Sequence, residues 1–73
     1  MKYNIPLGAY RHFKGNVYEL IAIANNSENP EELFAVYRSR LNPEQCWVRP
    51  LAMFCEIVAF EGKSVPRFEY IEK

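Results

Sequence analysis

Apolar and polar positions along the chain alternate in short runs, and no run sustains the 3.6-residue period of a long amphipathic helix. After a short lead containing Pro6, the first periodic stretch is AYRHFK, closed by Lys14-Gly15-Asn16. Gly15 and Asn16 both tolerate the positive φ that tight two-residue hairpin turns require, so a β-hairpin is expected here. The run VYELIAIAN that follows is rich in β-branched and aromatic residues and predicts a long second strand. Asn25 to Glu32 gathers turn formers around Pro30 and reads as an exposed loop. In ELFAVYRSR the residues Glu, Leu, Ala and Arg also favour helix, but Phe34, Val36 and Tyr37 shift the balance to a third strand with apolar character on both faces.

LNPEQ predicts another turn, and the short apolar CWV is stopped by Pro50, which has no N–H to give to a ladder. PLAMF suits one helical or 3₁₀ turn with Pro50 at its first position. CEIVAF resumes strand-like alternation and Glu61-Gly62-Lys63 closes it. VPRFEYI then reads as a last strand or extended tail, with Pro66 arguing for an edge. The sum is an all-β domain of five or six short strands, a small barrel or roll with at most one helical turn, closed so as to hide its edges. No repeat, low-complexity stretch or linker divides it, and residues 1–73 are read as one domain.

Size makes the aromatic content matter. With 73 residues the chain is expected to bury only about 60% of its unfolded surface. Five Phe, five Tyr and one Trp compensate with large buried areas per residue. Nine basic residues balance nine acidic ones, so no global field draws the chain to nucleic acid or an anionic membrane. All the acids are Glu, which removes every triad or metal constellation built on Asp. Cys46 and Cys55 fit neither a CxxC redox motif nor a zinc site completed by paired histidines, His12 being the sole histidine. Both read as small buried thiols of a reducing compartment. The start MKYNIPLGAY lacks the apolar run of a signal peptide, and nothing approaches a bilayer span, so the expected location is cytoplasmic, with no membrane partner.

In order along the chain, GAYRHFKG, VYELIAIA, SENPEE, AVYR, CWVRPLAMFCEIV and VPRFEYI form a pattern that resembles the bacterial domain of unknown function 1653 family, over about Gly8 to Ile71. The anchors are Tyr10-Arg11-His12, Trp47-Val48-Arg49-Pro50, Met53-Phe54 and Pro66-Arg67-Phe68. The resemblance implies an SH3-like β-roll and no assigned activity. The chain departs from the family pattern at Asn25-Asn26-Ser27-Glu28, where an Arg-His-Ser-Glu run is usual, and at Ser39-Arg40-Leu41-Asn42, where a Tyr-Gly turn is usual.

Candidate chemistry lies where arginine meets aromatic residues. On a strand, Ala9, Arg11 and Phe13 share one face and Tyr10, His12 and Lys14 the other, and burying the first set is inexpensive because an arginine stem lies along apolar surface. Arg38 follows Tyr37, Arg49 is two residues from Trp47, and Arg67 precedes Phe68. A guanidinium stacks on rings and forks onto carboxylate or phosphate. Tyr10, Arg11, His12, Tyr37, Arg38, Trp47, Arg49 and Arg67 are therefore the ligand-binding candidates, for a small anionic or aromatic ligand or a protein partner. In a purely structural role these arginines would pair with glutamates such as Glu19, Glu28 or Glu56 and brace the barrel. Two further functions fit the same pattern: single-stranded RNA binding, and a structural, oligomerising role through an edge strand at Val65 to Ile71. His12 as a general base would lack both an Asp and a second histidine, so a hydrogen-bonded structural histidine is preferred and no catalytic residue, metal ligand or cofactor is nominated. Trp47 reads first as a core or rim ring and second as an exposed stacking platform.

Overall fold

A computed structural model describes residues 5–72; the first residues of the lead, 1–4, and Lys73 lie outside the described residues. Seven strands and one helical turn follow one another: β1 Gly8–His12, β2 Val17–Asn26, β3 Asn29–Ser39, β4 Cys46–Pro50, α1 Leu51–Phe54, β5 Ile57–Phe60, β6 Lys63–Pro66 and β7 Phe68–Glu72. They make two antiparallel sheets, one ordered β4-β3-β2-β1-β7 and the other a β5-β6 ribbon. The protein is the all-β roll with a single helical turn that the patterning predicts. The roll is open: β4 and β7 are the edges of the larger sheet, so the expected closure is replaced by two exposed edges.

Two turns differ from their predicted form. The β1–β2 hairpin has a three-residue loop, in which the Gly15 N–H donates to the His12 carbonyl at 2.7 Å and the His12 N–H to the Asn16 carbonyl at 2.8 Å. Gly15 alone takes positive φ there, at 116°, as the last loop residue of such hairpins requires; Asn16 does not. The predicted loop at Asn25 to Glu32 is instead a tight turn at Ser27-Glu28 with strands running into it. Its polar residues hold the ladder together. The Asn26 carboxamide accepts from the Glu28 N–H at 2.9 Å and donates to Glu32 Oε1 at 2.7 Å, while Asn25 Nδ2 donates to the Pro30 carbonyl at 2.7 Å. Pro30 has no N–H to give, and the register slips beside it, between Asn25 and Asn26.

The tail divides as well. VPRFEYI supplies the end of β6, which pairs with β5, and then β7, which pairs with β1. Pro66 ends β6 and Arg67 turns the chain between the sheets, its N–H donating to the Glu56 carbonyl at 2.7 Å and its carbonyl accepting from Phe13 N–H at 3.0 Å. Helix α1 begins at Leu51, one residue after Pro50, which stands before it at φ −51° and ψ 135°.

The core lies between the larger sheet and α1. Tyr10, Leu20, Ala35, Tyr37, Leu51, Phe54 and Phe68 form one buried cluster. Phe54 stacks on Phe68 with centroids 4.1 Å apart and planes 7° from parallel, and Tyr10 and Tyr37 meet Phe54 at 5.3 and 5.4 Å. Each such pair adds about 0.5–1.5 kcal/mol to the area burial of its rings, and the large area per ring lets so short a chain fill its core. Tyr10 and His12 face the aromatic core and cavity, and of the less costly set of Ala9, Arg11 and Phe13 only Ala9 is buried. A tyrosine can be buried when its hydroxyl finds a partner, and the Tyr10 hydroxyl donates to the Pro6 carbonyl at 2.6 Å. The thiols are both free but not both buried: Cys55 is partly buried after α1, while Cys46 is exposed because it begins an edge strand.

Candidate functional site

Strand parity and register bring side chains from all five strands of the larger sheet to a common cavity. Trp47 of β4 lies opposite Tyr37 of β3, Tyr18 of β2 opposite Tyr10 of β1, and Phe68 of β7 opposite His12 of β1. Trp47, Tyr37, Tyr18, His12 and Phe68, with Arg49, line a cavity of about 220 Å³. Its rings meet edge-on: Tyr18 to Tyr37 at 5.6 Å, Tyr18 to Phe68 at 5.7 Å, and His12 to Phe68 at 5.0 Å. Trp47, 45% exposed, forms the rim rather than the core, since among the described residues no strand pairs beyond its edge strand.

Arg49 supplies the cation. It sits two residues from Trp47 on the same face, its guanidinium carbon 6.0 Å from the Phe68 ring centre, and its Nε donates to the Tyr37 hydroxyl at 3.2 Å. Among the described residues no carboxylate pairs with it, because the two ion pairs are Arg38–Glu19 and Arg67–Glu56. His12 lines the same cavity. Its Nδ1 accepts from the Lys14 backbone N–H at 3.1 Å, which leaves the proton of the neutral ring on Nε2. Burial first, and then the positive charges of Arg49, Arg67 and Lys14, hold its pKa below the usual histidine value, so the ring is neutral at pH 7.

The eight sequence candidates are thus divided. His12, Tyr37, Trp47 and Arg49 are brought together. Tyr10 lies beneath them in the core. Arg11 points to the other side of β1, into a neighbouring concavity of about 280 Å³ shared with His12, Phe13, Phe60 and Glu69. Arg38 bonds Glu19 across the β2–β3 ladder at 3.4 Å on the outer face. Arg67 Nη2 bonds Glu56 at 2.8 Å, and its Nε is buried without a protein partner. Two arginines therefore brace the fold through glutamates, and one faces a ring-lined cavity. Among the described residues no group of three or more His, Cys, Asp or Glu side chains is placed to share a metal ion. No helix of the described residues is long and apolar enough to cross a membrane.

Tyr18 and Phe68 are cavity residues that are not among the binding candidates, although Phe68 stands out in the sequence as the ring beside Arg67. A two-residue turn at Gly15-Asn16 would pair Phe13 with Tyr18 and place Tyr18 on the face away from His12. The three-residue loop shifts the register so that Tyr18 faces Tyr10 and shares the His12 side. The signal was Gly15 alone at the left-handed position, with Asn16 as the first residue beyond the loop.

The family model described as "Protein of unknown function (DUF1653)" matches residues 8–70. The fold is similar to the crystal structure of a protein belonging to DUF1653 from Bordetella bronchiseptica, which is 29% identical, with 93% of this chain and 88% of that chain covered and a TM-score of 0.82. No curated protein matches.

Proposed function

The chain belongs to the DUF1653 family, whose description names no activity, and from its own side chains we propose that it is a small binding module whose ligand enters the cavity of His12, Tyr18, Tyr37, Trp47, Arg49 and Phe68. The ligand is small, aromatic and anionic. One observation carries this reading: an arginine without a carboxylate partner among the described residues faces a cavity walled by rings. A purely structural arginine of a small β-roll satisfies its guanidinium on a glutamate, as Arg38 and Arg67 do here. Arg49 instead uses Nε on a tyrosine hydroxyl, and the rest of its fork suits an oxyanion. Rings around it provide stacking area and lower the local dielectric, which strengthens the charge-assisted bond.

Nucleic-acid binding is less well supported on the same grounds. Continuous phosphate tracking needs several free cations along a groove, and Arg38 and Arg67 are already engaged. The two free thiols, one exposed, favour a reducing cytoplasmic setting.

A thermal-shift screen of small ring compounds with and without an anionic group tests the proposal, because a ligand that binds only the native state raises its melting temperature by mass action. Anionic ring compounds should stabilise the protein and lose that effect in Arg49→Gln. Equal stabilisation of Arg49→Gln, or none in the wild type, would sink the reading.

A further inference from the structure

Resting on that reading, we infer that the ligand is a single aromatic ring carrying one carboxylate, held on Arg49, and that His12 takes up a proton as the anion arrives. Volume sets the first part. An apolar cavity of about 150 Å³ accommodates benzene, and drug-sized ligands need roughly 300–1,000 Å³. At about 220 Å³ this open-mouthed cavity can take in one ring and a small substituent. The Phe68 ring meets both the Arg49 guanidinium and the His12 ring, so an anion set on the Arg49 fork enters a cavity that the imidazole also lines.

Charge sets the second part. The groups around His12 come from every side: Arg49 on β4, Arg67 between β6 and β7, and Lys14 in the hairpin turn act on it as cations. Arg11 and Glu69 share the neighbouring concavity with it, and the Tyr18 and Tyr37 phenols share the ligand cavity. Of the carboxylates near these groups, Glu56 is engaged by Arg67, and Glu69, which shares the neighbouring concavity with Arg11 and His12, is not among the charges that shift His12. In the free protein His12 therefore feels an excess of positive charge and stays neutral. A carboxylate on Arg49 cancels the largest cationic part of that field, which shifts His12 toward imidazolium. The proton comes from solvent and no bond to the ligand is made. A protonated Nδ1 can no longer accept from Lys14 N–H, so proton uptake must also disturb the hairpin turn.

Benzoate is the probe, because its carboxyl titrates near 4 and leaves His12 as the group that changes between about pH 8 and pH 5.5. NMR titration with and without benzoate reads three things together: the Trp47 indole signal for occupancy, the His12 ring shifts for its pKa, and the Lys14 amide. The expected result is a higher His12 pKa in the complex, an affinity that tightens several-fold as pH falls across that range, and a Lys14 amide that moves with the imidazole. His12→Gln should bind benzoate with an affinity independent of pH; if that variant does not fold, the wild-type His12 titration decides alone. Saturable occupancy at Trp47 with an unchanged His12 pKa and a flat pH profile overturns the proton uptake while leaving the binding module standing. Benzamide binding as tightly as benzoate overturns the carboxylate. Trp47 and Arg49 signals that ignore every anionic ring compound overturn both this inference and the reading beneath it.

Discussion

The Tyr10 hydroxyl shows how one polar atom is kept in a ring-filled core. Burial, with the Cys55 thiol and Tyr70 as smaller contributions, pushes its pKa up to about 12, and the short bond to the Pro6 carbonyl is available only to the protonated phenol. The folded-state value lies above the unfolded value of 10.0, so this contribution is complete below pH 10 and is lost as pH rises through about 12. Burial also raises the Cys55 thiol, which adds alkaline sensitivity of the same sign. Urea denaturation followed from neutral to alkaline pH should therefore show stability falling above about pH 10, by roughly 2–3 kcal/mol for a two-unit shift. Tyr10→Phe should cost about 1 kcal/mol at pH 7 and flatten most of that slope. His12 has the opposite sign: its folded-state pKa is lowered, so its contribution is present above about 6.5 and is lost as pH falls through the folded value. His12→Gln should weaken that acid dependence, read as a urea midpoint that falls less steeply below pH 6.5.

Among the elements, the Arg67 corner joins the small sheet to the large one. Its N–H and carbonyl bond Glu56 and Phe13, and its side chain bonds the Glu56 carboxylate. The side-chain pair is half exposed at Glu56 and is worth no more than about 1 kcal/mol. Glu56→Gln should thus shift global stability little, while hydrogen exchange in β5 and β6 should quicken before that of β2 and β3. Uniform acceleration across both sheets would contradict a hinge at this corner. The elements themselves were largely legible, because Val, Ile, Tyr and Phe alternate where β1, β2, β3 and β5 occur and Pro50-Leu51 announces α1. Asn25 to Glu32 was not legible as a ladder, since its side-chain amides supply bonds that composition does not reveal. The cavity was half legible. Arg49, Trp47, Tyr37 and His12 advertise themselves as arginine and ring neighbours, but Tyr18 joins them only through a register that one turn residue sets.

At the scale of the whole molecule, core and cavity are two zones of one aromatic layer. Tyr37 and Phe68 belong to both, packing on Phe54 on one side and lining the cavity on the other. Phe54→Ala should cost about 3–5 kcal/mol, much of the stability of a domain this small, and calorimetry should find the variant largely unfolded near body temperature. Trp47→Ala, at the rim, should leave the melting temperature within a few degrees of wild type and remove binding. Association through strand edges makes a different demand, since self-pairing at β4 or β7 requires a mass that rises with protein concentration in light scattering. A ligand cavity responds to its ligand at any dilution.

Trp47 is the sole tryptophan of the chain and stands at the cavity mouth, so its fluorescence reports the site directly. Titrating the wild type and Arg49→Gln with anionic ring compounds tests whether the cavity is a binding site built on that arginine. The structure predicts a saturable fluorescence change in the wild type that is lost in Arg49→Gln, with both proteins equally folded by circular dichroism. A signal that stays flat, or that saturates identically in both proteins, would contradict it.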